Sequence, residues 1–253
     1  MSDIEITQDG QLLWLRINRP ERKNALTHAM YTTMTQGLQQ AKDDSSVRVV
    51  IITGAAGCFS AGNDMHDFLQ HPPTGSDSPV MRFLDALVNF PKPLVAAVEG
   101  VAVGIGTTLL LHCDLVYVAP SAKLKLPFVN LGLCPEAGSS LVLPALMGHQ
   151  RAAELLLLGE MIDGASAVTL GLANGVSDDC VALAETQAKR LAAQPPAALR
   201  QAKAFMRQGS AAALKQQMQS EGARFCQMLL EPEAREAMQA FVEKRAPDFS
   251  RFE

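Results

Sequence analysis

The stretch VRVVIITGAAGCFSAGND, Val47 to Asp64, decides how this chain folds. Val47 to Thr53 is β-branched and almost wholly apolar, the pattern of a strand buried on both faces. Gly54 and Gly57 then break the run, and Phe59-Ser-Ala-Gly-Asn-Asp64 follows. Strand, glycine-rich loop and helix form the local unit of an α/β fold. The same order returns downstream: Leu94 to Val98 reads as a buried strand, and Gly100 to Gly106, GVAVGIG, as a glycine-rich turn. Thr107 to Leu111 then reads as the start of a buried helix.

Upstream, Ile4 to Thr7 and Leu12 to Ile17 flank Asp9-Gly10, a hairpin signal. Asn18 to Asn24 is a polar loop, and Thr27 can cap a helix reaching about Lys42. Between the two units, Gln70 to Pro79 reads as a surface loop. Val80 to Asn89 reads as a helix stopped by Pro91-Lys-Pro93. Leu115 to Val118 and Ala122 to Leu126 add two strands.

From Arg151 the pattern is helical. Arg151 to Leu158 ends at Gly159 and Ala165 to Leu170 at Gly171. Leu183 to Ala193, Pro196 to Arg207, Ala211 to Leu230 and Pro232 to Arg245 follow. The expected division is an α/β body over 1–190 and an all-helical region over 191–253. Apolar stripes in that region (Phe205; Leu214, Met218, Phe225, Met228) predict packing on another subunit.

The 253 residues are 48% hydrophobic and 19% charged, enough apolar mass for a substantial core. A net charge of −4 and the lack of a basic stripe argue against nucleic acid. No signal peptide, long uncharged apolar run or C-terminal targeting tetrapeptide is read, so the expectation is a cytoplasmic protein off the membrane. Cys58, Cys113, Cys134, Cys180 and Cys226 are scattered, odd in number and read as reduced thiols. With the histidines scattered too, no metal site is expected.

The chemistry centres on LGLCPEAGSSL, Leu131 to Leu141. Pro135 and Gly138 bracket Glu136, and a helix opens at Ser139-Ser140. Glu136 can be a base over a pocket or an acid complementing the helix dipole. The two glycine turns upstream can only turn the chain, or can each offer a free N–H to one oxygen. Neither matches a phosphate-loop or dinucleotide motif, and no GxSxG elbow exists. Asp64 reads as a helix cap, Asp114 as structural, and Glu154 as facing solvent or a partner. His28, His66, His112 and His149 have no serine or cysteine motif beside them.

Taken in order, six segments resemble the crotonase superfamily of enoyl-CoA hydratases and isomerases. They are Lys23-Asn-Ala-Leu26, Phe59 to Asp64, Lys92-Pro-Leu-Val-Ala-Ala-Val-Glu-Gly100, Gly104-Ile-Gly106, Cys113-Asp114 and Gly132-Leu-Cys-Pro-Glu-Ala-Gly138. The resemblance implies a spiral of ββα units whose helical C-terminal region builds trimers, often paired into hexamers. It implies an acyl-CoA substrate, with coenzyme A as part of that substrate and no separate cofactor. The thioester oxygen would be held by the N–H groups of Asn63 and Ile105, the latter between Gly104 and Gly106. Arg22, Lys23 and Ala25 would lie along the CoA with Ser60, Ala61, Gly62 and Asn63. Phe241 and Lys244 resemble the tail that reaches the CoA of the same or a neighbouring subunit.

Hydratases of this family use two glutamates, whose positions are Thr108 and Phe128 here. Neither residue can activate and protonate water. Glu136 stands where peroxisomal-type Δ3,Δ2-enoyl-CoA isomerases carry their single glutamate. The implied activity is therefore that isomerisation, with Glu136 in an apolar pocket of Leu126, Phe128, Leu133 and Leu141. The alternatives are another acyl-CoA reaction of the same family, hydration included, and an acyl-CoA-binding protein of low activity.

Overall fold

The computed structural model describes residues 2–75 and 77–252. The loop expected over Gln70 to Pro79 is therefore described apart from Ser76, and the C-terminal tetrapeptide apart from Glu253.

The first hairpin forms as its Asp-Gly turn dictates. β1 (Ile4–Asp9) pairs antiparallel with β2 (Leu12–Ile17), and Gly10 takes a φ of 55° between them. α1 (His28–Asp43) starts at Thr27, whose hydroxyl accepts the Met30 N–H. β3 (Val49–Gly54) is buried at every residue, as its β-branched run requires. α2 (Met65–Gln70) is capped by Asp64, and α3 (Pro79–Val88) begins on a proline. β4 (Leu94–Val98), β5 (Val101–Val103), α4 (Ile105–Thr108), β6 (Leu115–Val118) and β7 (Lys123–Lys125) complete the central segment. α5 (Ser139–Met147) and α6 (His149–Ala153) follow, and a π-turn over Glu154–Leu158 ends at the left-handed Gly159. β8 (Met161–Asp163), α7 (Gly164–Thr169), β9 (Gly175–Val176), α8 (Cys180–Ala192), α9 (Pro196–Gln208), α10 (Ala211–Met228) and α11 (Pro232–Glu243) finish the chain.

One sheet runs β1-β2-β3-β4-β6-β9, parallel beyond the first pair, and a second runs β5-β7-β8. Alternation divides the larger sheet into two faces. Leu13, Leu15, Val50, Ile52 and Ala96 meet the apolar stripes of α1 and α3. Leu12, Val49, Ile51, Val95 and Ala97 meet α8, which presents Cys180, Ala184, Ala188 and Ala192 at four-residue spacing. Truncating fully buried Ile52 to alanine would cost about 2–5 kcal/mol.

The α/β class expected from the sequence is the class that forms. Three strands depart from the sequence reading. GVAVGIG is not simply a turn: Val101 to Val103 form β5, and the helix after it starts at Ile105 rather than Thr107. β8 and β9 also escaped. Strands of two or three residues are too short to carry a readable alternation. Residue 190 falls within α8, which belongs to the sheet, and α9 to α11 follow it. Among the described residues no helix is long and apolar enough to cross a membrane.

Candidate active site

Three chain segments lie edge to edge. The Ala61 N–H donates to Lys23 O (2.9 Å) and the Leu26 N–H to Gly62 O (2.8 Å). On the other side Ser60 donates to Val101 O (2.9 Å), and Val103 donates back to Ser60 O (3.0 Å). Close approach depends on two glycines. A Cβ on Gly62 would stand 2.7 Å from Val103 O, and one on Gly106 would stand 2.8 Å from Ser60 O. Asn24 holds the first loop from within: it is fully buried, takes a φ of 57°, and its amide donates to Ala55 O and Cys58 O.

This arrangement aims two backbone donors. Asn63 pairs with Leu26 as a parallel bridge, so Gly62 and Asp64 bond Leu26 while the Asn63 N–H faces the other way. The Ile105 N–H opens α4, where a first-turn donor has no partner within the helix. Gly104 reaches that corner at φ 56°, ψ −120°, a conformation open to glycine. Neither N–H meets a protein acceptor among the described residues. The Asn63 side chain is fixed as well: the Tyr31 hydroxyl donates to its Oδ1 at 2.5 Å. Burial holds the Tyr31 phenol well above its ordinary pKa, and the negative charges of Glu136 and Asp67 reinforce this.

Glu136 follows Phe128 by way of a 3₁₀ turn (Val129–Leu131) and the left-handed Gly132. It is 5% exposed. Ala137 (φ 59°) and Gly138 (φ 72°) then turn the chain into α5. For an alanine that conformation costs on the order of 1 kcal/mol. Glu136 precedes the N-cap Gly138 and is not among the first-turn residues of α5, which hold no acid. Burial pushes its carboxyl up to about 7, the Glu221 charge adds to this, and the Thr108 hydroxyl, donating at 3.2 Å, opposes it. Leu126, Phe128 and Leu133 are buried and Leu141 half-buried in the same region.

The structure thus gathers Lys23, Ala25, Ser60, Ala61, Gly62, Asn63, Gly104 and Ile105 along one set of ladders, with Arg22 and Lys23 exposed at its rim. Phe241 and Lys244 are not gathered there within one chain. Both are exposed at the far end of α11, whose first turn packs on Gly132. Asp64 caps α2 and also pairs with Arg19 at 2.6 Å. Asp114 is structural: it binds Lys203 (2.6 Å), Arg207 (3.3 Å) and the Leu94 N–H (2.8 Å). Glu154 is exposed.

Two residues around Glu136 and Asn63 went unread in the sequence, and a third was read in another role. Tyr31 had one faint signal, a hydroxyl within the apolar stripe Met30, Tyr31, Met34, Leu38. Thr108 was read as a missing acid rather than as a donor to Glu136. Glu221 had no local signal, being one acid on a polar helix. Among the described residues, one set of metal-ligating side chains does converge: His28, Asp67 and His71, with ligand atoms within 4.8 Å of one another. Asp67 and His71 lie one helical turn apart at α2, but His28 comes from the start of α1, so sequence spacing alone did not announce the set.

Comparison with known proteins places this geometry in context. A family model described as enoyl-CoA hydratase/isomerase matches residues 7–251. The chain is 34% identical over 252 residues to 2,3-dehydroadipyl-CoA hydratase of Escherichia coli, covering 98% of this chain and 99% of that protein. It is 37% identical over 212 residues to enoyl-CoA delta isomerase 2 of Rattus norvegicus, covering 81% of this chain but 54% of the rat protein. Among solved structures, OdaA of Pseudomonas aeruginosa superposes with a TM-score of 0.94 at 49% identity, covering 96% of this chain and 99% of that one.

Proposed function

Because the chain belongs to the enoyl-CoA hydratase/isomerase family and is an acyl-CoA enzyme of it, we propose that it is a Δ3,Δ2-enoyl-CoA isomerase with Glu136 as its single acid/base. The observation that carries this reading is a buried carboxyl, bonded by the Thr108 hydroxyl and with its pKa pushed up to about 7, in a chain that has Thr108 and Phe128 at the two positions where a hydratase would need acids.

The chemistry follows from that arrangement. The substrate thioester oxygen accepts the Asn63 and Ile105 N–H groups. Glu136, as carboxylate, removes a proton from C2 of a 3-enoyl thioester. The electron pair moves into the thioester, giving a dienolate whose charge rests on the held oxygen. Each such donor is worth roughly 2.7–4 kcal/mol in the transition state. Glu136 then returns the proton to C4, leaving the double bond between C2 and C3. A base with a pKa near neutrality suits both steps.

Arg22 and Lys23 supply cations for the CoA phosphates, and the edge of Ala25, Ser60, Ala61 and Gly62 follows the pantetheine. Phe128 and Leu133 border the acyl group. The assembly in this reading is a trimer, and Phe241 and Lys244 reach the CoA of a neighbouring subunit. The exposure of Phe205 (65%) and Met206 (74%) on α9 supports packing between copies.

Incubation of the purified protein with 3-hexenoyl-CoA tests the reading. Conjugation to the 2-enoyl product is expected from the wild type. Glu136→Gln should still bind the thioester but leave C2 unexchanged in D2O. Efficient hydration of a 2-enoyl-CoA, the activity suggested by the E. coli relative, would replace the isomerase assignment. Tight binding with no C2 exchange would replace it with a binding role.

A further inference from the structure

We infer that Glu221 is a positioning residue for Glu136: one carboxylate from α10 holds the turn Glu136–Ser140 in place and sets a second negative charge behind the base. This rests on the proposed role of Glu136.

The turn has no cap of its own. Gly138 occupies the N-cap of α5 and offers no side chain. The missing acceptor arrives from far along the chain. Glu221 Oε2 accepts the Gly138 N–H at 2.6 Å across 83 residues. Its Oε1 accepts both the Ser140 N–H (3.1 Å) and the Ser140 hydroxyl (2.5 Å). Gln217, one helical turn earlier, donates to the Ser140 hydroxyl at 2.9 Å, and the Cys134 thiol leans on Glu221 O at 3.6 Å. Glu221 is itself buried, and a Cβ on Gly138 would collide with Leu214 of α10, so helix and turn are in close contact. From the other side His112 Nε2 lies 2.8 Å from Ala137 O. Burial lowers the His112 pKa to about 4, so the neutral ring donates there. The two left-handed residues next to Glu136 are thus pinned between His112 and Glu221.

The groups facing Glu136 define its charge environment. They are the Thr108 hydroxyl from α4, the Tyr31 phenol from α1, the Cys134 thiol on its own turn and Glu221 from α10; the neutral His112 touches the next residue, Ala137, and Arg224 of α10 acts on the Cys134 thiol. The thiol is held up at about 11, first by burial and then by the Glu221 charge. Among these, no cation faces Glu136 itself to offset the second carboxylate. Glu221 therefore favours the protonated form of Glu136 and so helps place its titration near neutrality.

The test compares Glu221→Gln, which removes the charge, with Glu221→Asp, which keeps the charge but withdraws the oxygens from the turn. In Glu221→Gln the acid limb of kcat/KM should move down by about half a pH unit or more. Its kcat should fall about tenfold with little change in KM. In Glu221→Asp kcat should fall while the limb stays in place. A limb unmoved in Glu221→Gln, or full activity in Glu221→Asp, overturns the proposal. Should Glu221→Gln not fold, the Asp variant decides alone, since a shifted limb there would also overturn it. A second readout needs no turnover: the carboxyl of Glu136, titrated by 13C NMR and identified by its loss in Glu136→Gln, should shift with the limb. If the wild type isomerises nothing, the function falls. The NMR titration still decides the role of Glu221.

Discussion

Two carboxylates, Asp114 and Glu136, sit in contrasting surroundings. Asp114 meets two cations and a backbone N–H, and Lys203 beside it is 4% exposed. Glu136 meets one hydroxyl, apolar walls and another carboxylate. Burial alone does not separate a brace from a base; the charge of the neighbours does. Asp114 anchors α9 to the sheet through Lys203 and Arg207, and Arg207 also donates to Val88 O and His112 O at 2.8 Å each. Glu136 is spent on no anchoring contact and is left available for a proton.

The contrast breaks if exchanging the two roles costs nothing. Glu136→Gln should lower isomerisation about a thousandfold, read as loss of C2 deuterium exchange, because the neighbouring Glu221 carboxylate is held on the Gly138 and Ser140 donors and does not take its place. Asp114→Asn should do the opposite. Lys203 would be left buried without its counter-charge, at a cost of about 3 kcal/mol in urea unfolding. Its activity per folded molecule should stay within about twofold of wild type. Loss of activity without loss of stability in that variant would refute the division.

A smaller effect concerns stability against pH. The folded pKa of Glu136 is raised from 4.5 to about 7, so the folded state holds this proton more tightly than the unfolded chain does. The resulting stabilisation is complete below pH 4.5 and lost as pH rises through 7. Glu136→Gln, which cannot ionise, should therefore exceed the wild type at pH 8 by about 2 kcal/mol and match it at pH 4. A constant difference across that range would mean that Glu136 is not held up by burial. The smallest effect is expected for Thr108→Val. Without the donor at 3.2 Å, the acid limb should move up by about half a unit, lowering the rate at pH 7 about twofold.

The centre of the larger sheet was legible because β3 and β4 are apolar and buried at every position. β5, β8 and β9 were not, since a strand of two or three residues takes its identity from its partner and not from its own pattern. In the candidate site, Asn63, Ile105 and Glu136 were singled out through the order of short motifs, each tied to local backbone geometry. Glu221 was invisible and Tyr31 nearly so, because their meaning lies in what they touch across the fold. Phe241 and Lys244 show the converse: a motif read by resemblance that one chain alone does not bring to the turn.

The docking of α10 on the turn that carries Glu136 also has a consequence for biosynthesis. When a ribosome has released the chain through α5, the sheet strands up to β7 and the base already exist. The residue that seats the base is still 83 positions from the Gly138 it must grip. The turn that carries Glu136, the proposed base, is thus completed only by the final quarter of the translation product. A nascent or C-terminally clipped chain could hold its sheet and remain chemically silent.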